Sequence, residues 1–543
     1  MSEFRVLVLF DTPSIKQFVF GTDALREIRG ASAMLDQLNR TDTERELRKS
    51  LPSGATLDRV YANGGAAQFV LRHCNEAEAR HACESVVGHF INETAGDVHP
   101  VYGVAQCGND QTYQAAMTEA HFELRSRREI LTIRHAPQLM PLVAECTSAS
   151  HLPATGLFAI GDDQARLLSE SSRRKEVRGR VAREHGMWAE WMEHLASLGP
   201  WPEADQWDEL RCNSVVEIGQ RGGLESYIGL VYADGNAMGR IVQNLDSQDT
   251  CRVFSDTVDG SIRKACFAAL DKVCQREIGA IRAAVGSADK LRPLPADILL
   301  LGGDDLLVVV PADRSIDFAA AASQEFQRLT TIELKAVTAT GVREFFSRHV
   351  GDSGFTISSG VAIARSSYPF YLLLDLAEDL LKNAKRRGSD VAQDGAPTAP
   401  EAYVDFHVVA GSNSFRLGQL RKDDYHVDSA APRTLRPMSL NHLKTLRDSI
   451  SALRSVNFPR SKLHALHEAS LMQSTEQAER AIRDIFGRCK FSAERNERRM
   501  LWQAVESLLP PNWSFNFPWF ERDGKRVLAV ADIVEASDLF DEL

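Results

Sequence analysis

One pattern is written twice along this 543-residue chain, and a repeat of that size constrains the fold more than any single element. The first copy opens on the apolar run 5–10, followed by Asp11 and a helix-like stretch. The second opens on 227–233, followed by Asp234 and the helix-like segment 236–242. Each copy continues with a glycine-pair hairpin, 61–71 or 299–309, and then a glycine-bearing strand, 101–105 or 356–364. An amphipathic helix with a basic end closes each, 112–128 and 371–387. In the latter, Leu373, Leu376, Ala377, Leu380 and Ala384 fall at i, i+3, i+4 spacing, a stripe that packs and carries no chemistry. Strand–helix–hairpin–strand–helix predicts a βαββαβ-like, ferredoxin-type sheet, so the fold class is α+β with two such domains in tandem.

Only the second copy carries acids. Its hairpin, 297–311, sets Gly302-Gly303-Asp304-Asp305 between two β-prone runs, so two adjacent carboxylates stand at the tip. Glycine admits φ > 0 and lets a phosphate approach with no Cβ in the way. Neighbouring carboxylates between buried strands, with no basic partner nearby, are costly unless a divalent cation sits on them. An ordinary acidic turn is the alternative reading, since a short motif is a hypothesis. Strand 227–233 delivers Asp234 at its carboxyl end, where ligands settle in α/β sheets, and the amides beyond Gly235-Asn236 open the next helix toward phosphate oxygens. Three carboxylates meeting there suit one or two Mg²⁺ ions. Lys385 or Arg386, at the end of helix 371–387, lies within reach of a triphosphate, or else complements the helix dipole in solvent. The first copy offers Ala66 and Ala67 after its glycine pair, which makes it scaffold.

Composition bounds the rest. Hydrophobic residues at 44% and charged ones at 25% are those of a globular protein, and no apolar run approaches the roughly 20 residues of a membrane helix. The start of the chain resembles a strand rather than a signal peptide, which predicts a cytoplasmic protein. Nine scattered cysteines with no Cys-x-x-Cys pair predict reduced, mostly buried thiols. A net charge of −11 argues against indiscriminate nucleic-acid binding. The basic run Arg173, Arg174, Lys175, Arg178, Arg180 and Arg183 reads first as a solvated helix face, with an RNA or phosphate contact as the lesser alternative. It falls in the region 140–220, which lacks clear strand alternation. Beyond 435, Leu440, Leu443, Leu446, Ile450 and Leu453 mark a helical domain entered through Pro432 and Pro437.

Residues 233–239, Gly302-Gly303-Asp304-Asp305, 359–364 and Ala384-Lys385 together resemble the large polymerase-like, palm-domain subunit of type III CRISPR effector complexes, and more distantly the GGDEF nucleotide cyclases. Residues 15–18 and 29–32 look like that subunit's first palm, while 459–463 and 531–535 look like its helical C-terminal domain. The resemblance implies a degenerate first palm at 1–140, a linker with a degenerate zinc module and a basic helix at 141–220, a second palm at 221–412 and a helical domain at 413–543. It implies a nucleotidyltransferase that makes cyclic oligoadenylate messengers from ATP in antiviral defence. Its protein partners would hold guide and target RNA, and a downstream effector would receive the product. By position, Asp234, Asp304 and Asp305 would be catalytic and bind Mg²⁺ or Mn²⁺, with Gly235, Asn236, Gly302, Gly303, Ser359 and Lys385 contacting the nucleotide. Three departures stand out. Asn236 replaces an aspartate of many relatives. A His-Asp dipeptide is absent, so DNA cleavage is not expected. Cys146 keeps only serines downstream where a zinc module has thiolates, so no zinc is expected either. A stand-alone synthase free of guide RNA, and a nucleotide-binding structural subunit without turnover, remain as alternatives.

Overall fold

The structure, a computed structural model, describes residues 5–107, 112–134, 143–149, 152–160, 164–181, 186–286, 291–391, 400–409, 417–423, 425, 432–455, 460–487, 520–522, 525–527, 530–537 and 539–540. Arg183, Pro459 and one of the nine cysteines, Cys489, lie outside them.

The repeat is real at the level of strand order. Strands β1 (Arg5–Asp11), β2 (Thr56–Asn63), β3 (Ala66–Arg72) and β4 (Val101–Cys107) form an antiparallel sheet in the order β2-β3-β1-β4. After a hairpin of β5 (Gly156–Ile160) and β6 (Gln164–Leu168), the second sheet is built from β7 (Tyr227–Gly235), β8 (Asp297–Gly302), β9 (Asp305–Pro311), β10 (Ile357–Arg365), β11 (Tyr403–Val408) and β12 (Met438–Ser439). Its order is β12-β11-β10-β7-β9-β8, so β8-β9-β7-β10 repeats the first sheet strand for strand. Two tandem ferredoxin-like palms follow, the second lengthened by β11 and β12. Strand β12 comes from beyond residue 412, so the C-terminal segment is stitched into the palm sheet.

Both faces of each sheet are covered, which is why the strands read as unbroken apolar runs. Alternate residues enter different cores. Leu7 and Leu9 of β1 share a cluster with Val231 and Ala233, while Val6, Val8 and Phe10 share another with Ile228, Leu230 and Tyr232. Each cluster therefore spans both palms. Helices Gln248–Val273 and Ala312–Ala336 cover one face of the second sheet, and helix Phe370–Val391 the other.

Two expectations change in the linker. Residues 156–168 form a β-hairpin, although their alternation is too short to show in the sequence. The basic run is a solvated face only in part: Arg180 is exposed and Arg173, Arg174 and Arg178 partly so, but Lys175 is buried. Its helix, Glu170–Val181, lies against helix Leu25–Gln37 at glycine contacts, where a Cβ on Gly30 would stand 1.8 Å from the Lys175 carbonyl oxygen. Lys175 is buried, donating to the Phe18 carbonyl at 2.8 Å and pairing with Asp97 at 3.1 Å, while Arg173 and Arg174 pair with Glu170. Ion pairing allows the Lys175 charge to be taken from water.

The palms are also tied by charge. Asp297, fully buried at the start of β8, receives Arg29 of the first palm at 2.6 Å and Arg211 of the linker at 2.7 Å. Removing the carboxylate strands two guanidiniums in the interior, a loss of about 3–5 kcal/mol. Asp297→Ala should therefore lower the melting temperature by roughly 10 °C. A shift below about 2 °C in differential scanning fluorimetry would contradict this account. The C-terminal segment is locked similarly, with buried Arg436 bound by Asp532 and Glu535 at 2.9 Å each.

Candidate active site

The acids meet because the register makes them meet. In the β7–β9 ladder Ala233 faces Leu306, and one step further Asp234 comes opposite Asp305. On the other flank Asp234 faces Ser358 of β10. Side chains alternate along strands, so Tyr232, Asp234, Asp305 and Leu307 share one face, the one beneath helix Phe370–Val391. That helix supplies Lys385, whose ammonium is ion-paired with Asp234. Asp304 sits in the hairpin turn beside Gly303, whose φ of 63° suits glycine. A Cβ on Gly235 would stand 2.7 Å from Asp304 Oδ2, so the missing side chain at 235 is what admits this carboxylate.

Three carboxylates crowd one half-buried point. Burial, reinforced by the charges of Asp234 and Asp305, pushes the Asp304 carboxyl well above its ordinary range, and it is hydrogen-bonded to Asp234. Burial and then the charge of Asp234 raise Asp305 to about 7, against the opposing pull of Lys16, Lys385 and the Tyr232 hydroxyl. Carboxylates in contact hold together only through a proton or a cation. Among the described residues no three His, Cys, Asp or Glu side chains form a finished metal shell, and at this point Lys385 holds Asp234. The donor set nonetheless fits a hard divalent cation: three oxygen donors, and more negative charge than one lysine balances.

A cavity of about 250 Å³ opens beside the acids, between the palms, lined among others by Lys16, Asn39, Gly65, Gly302 and Asp305. Lys16 comes from the first palm. Its ammonium pairs with Glu378 at 2.9 Å and lies 4.8 Å from the Tyr232 ring centroid. Sequence reasoning missed Lys16 and Tyr232 as site residues. Tyr232 was findable, two residues before Asp234 on the same face; Lys16 was not, because only the packing of the palms brings it there.

Other predicted residues are placed differently. Asn236 is buried and turned inward, its backbone N–H donating to the Thr356 carbonyl and its side-chain amide to the Thr356 hydroxyl, each at 2.9 Å. Ser359 faces Ala233 on the opposite side of the sheet from Asp234, fully buried. Arg386 is bonded to Asn383 at 2.6 Å, away from the acids. The first palm's acid-free position is also one residue from where the motif puts it. Its turn is Gly64-Gly65 between paired Asn63 and Ala66, whereas the second palm's turn is Gly303-Asp304 between paired Gly302 and Asp305. Gly65 thus corresponds to Asp304 and Ala66 to Asp305, and Asp11 alone matches an acid, Asp234.

Residues 227–392 match the family model described as Cas10/Cmr2, second palm domain. That segment is similar to a Cas10/Cmr2 second palm. That segment contains all three acids and Lys385. No curated protein matches the chain. Among solved structures, Csm1 in T. onnurineus is 15% identical, with a TM-score of 0.52, over 99% of this chain and 70% of that one. The apo Csm1–Csm4 cassette is 13% identical, with a TM-score of 0.52, over 92% and 70%. The Csm1–Csm4 cassette in complex with cA4 is 14% identical, with a TM-score of 0.51, over 93% and 69%. At such identities the likeness establishes the fold alone, and it does so across both palms. Among the described residues no helix is long and apolar enough to cross a membrane.

Proposed function

We propose that this Cas10-like chain is a nucleotidyltransferase that joins ATP into a cyclic oligoadenylate, acting as a subunit of an RNA-guided complex of the type III CRISPR kind. The observation that carries the reading is the convergence of Asp234, Asp304 and Asp305 beneath Lys385 at the mouth of a cavity. Support comes from the solved fold relatives, which were captured with cA4, pppApA and AMPPNP.

In this reading a 3′-hydroxyl attacks an ATP α-phosphate and pyrophosphate leaves. A divalent cation on the three carboxylates would supply a lowered hydroxyl pKa and charge neutralisation on the leaving group. With a cation held on the Asp234 carboxylate, Lys385 would be released from that pair and could serve the phosphates as a counter-charge. Gly302, Gly303 and Gly235 keep side-chain bulk away from the nucleotide. Asn236 acts from behind, holding the strand end to Thr356.

Purified protein, with partner subunits and target RNA, should convert labelled ATP and Mg²⁺ or Mn²⁺ into a cyclic product identified by mass spectrometry. Asp304→Ala combined with Asp305→Ala should abolish it. Unchanged synthesis in that double variant rejects the assigned site.

A further inference from the structure

Behind the acid turn lies a charged network that the proposed chemistry leaves unused. Asp259, on helix Gln248–Val273, is buried, and its Oδ1 accepts the backbone N–H of Gly303 at 3.1 Å and Arg40 Nη2 at 2.6 Å. Arg40 belongs to the first palm, in the π-helical turn Leu38–Asp42, and its Nε donates to Asp36 at 2.7 Å. Such turns interrupt regular helices and recur at functional sites. Arg263, one turn beyond Asp259, donates to the Leu301 carbonyl at 3.2 Å and pairs with Asp36 at 3.3 Å and with Glu190. The two backbone groups flanking Gly302 are thus held by one helix, and the side chains that hold them are held in turn by the first palm.

The backbones themselves touch at this place. A Cβ on Gly64, at the tip of the first palm's hairpin, would stand 3.1 Å from Gly303 Cα. A glycine pair has little conformational preference of its own, so the position of the turn must be imposed from outside.

We propose that Asp259, with Arg40 and Arg263, is the positioning network of the acid turn, through which the acid-poor first palm fixes Asp304 and Asp305 relative to Asp234. The inference rests on the metal-dependent chemistry proposed for that turn. These residues touch neither substrate nor metal; they act through the backbone of Leu301 and Gly303. A misplacement of about 1 Å at reacting groups costs on the order of 10²-fold in rate, so the network's effect is on turnover and metal affinity rather than on nucleotide capture.

The test uses the full chain with Asp259→Asn, Arg40→Ala and Arg40→Lys. Two measurements are made: Mn²⁺ binding without nucleotide, by electron paramagnetic resonance, and ATP turnover in the assembled complex. Asp259→Asn and Arg40→Ala should weaken Mn²⁺ about threefold or more and lower kcat about 10- to 100-fold, with KM changed less than about twofold. Arg40→Lys should recover part of the loss, since it keeps the charge and loses the fork. The double variant should be little worse than the worse single one, because the residues act as a unit. Wild-type Mn²⁺ affinity and kcat in Asp259→Asn overturn the proposal. So does a loss confined to melting temperature. If Arg40→Ala does not fold, Arg40→Lys and Asp259→Asn carry the same test. Failure of the underlying reading looks different: wild-type protein then binds no Mn²⁺, or Asp304→Ala with Asp305→Ala binds it unchanged.

Discussion

Asp305→Asn should make the metal-free protein more heat-resistant while abolishing the proposed synthesis. The two effects have one cause. Burial and the neighbouring charge of Asp234 raise the Asp305 carboxyl to about 7, so its charged form is a liability of the folded state whenever no cation is present. A carboxyl raised in the fold contributes stability that is complete below its unfolded value of 3.8 and is lost as pH climbs to about 7. The neutral amide avoids that loss. At pH 8 without metal the variant should melt about 2–5 °C above wild type, and at pH 5 the gap should narrow. With Mg²⁺ the order should reverse, because a carboxylate binds the cation more strongly than the neutral amide does. Turnover falls by about 10³-fold, the several kcal/mol that a metal's charge stabilisation supplies. Melting curves across pH, with and without Mg²⁺, check the pattern. An Asn variant that melts below wild type at pH 8 without metal would mean that the acids are not in mutual repulsion.

Much of this was legible in the residues, and the parts that were not share a physical character. The repeat could be read because most palm strands, β1, β3, β4, β7, β9 and β10 among them, are buried on both faces and stay apolar along most of their length. Asp234 could be placed because a carboxylate ending such a run is costly to bury unless it has a cation to hold. Element ends came out longer than read: β7 runs to Gly235 and the last palm helix to Val391, since backbone pairing continues after apolar patterning stops. The hairpin register was not legible. Both hairpins carry an irregularity at the equivalent place in their first strand, between Arg59 and Tyr61 and between Ile298 and Leu300, so the two share one register. The glycine pairs align as letters but differ by one position in that register. Lys16, Arg40 and Asp259 were invisible because their roles exist only where two palms, hundreds of residues apart in sequence, are packed together. The linker's basic run misled at Lys175, because charges at helical spacing usually face water, whereas here Gly30 and Gly179 let two helices close over that residue.

Gly235→Ala is the smallest change expected to disable the site. The added methyl would lie 2.5 Å from Met238 Cγ and 2.7 Å from Asp304 Oδ2, both too close to persist. Met238 is flexible and can withdraw by changing rotamer. The Asp304 carboxylate cannot withdraw without leaving Asp234, because the turn behind it is fixed through Gly303 to Asp259 at 3.1 Å. Strain is therefore relieved by moving an acid, and kcat should fall about 10- to 100-fold with weaker Mg²⁺ dependence, at the expense of only a few degrees of melting temperature. Gly239→Ala, four residues on, supplies the control. A Cβ there meets nothing within 4 Å, and the residue lies in helix Met238–Asn244, where alanine is favoured by about 1 kcal/mol. That variant should keep its activity and melt no lower than wild type. Equal activity in the two variants would show that Asp304 has room to move, and that the three carboxylates are not held to the spacing on which the chemistry depends.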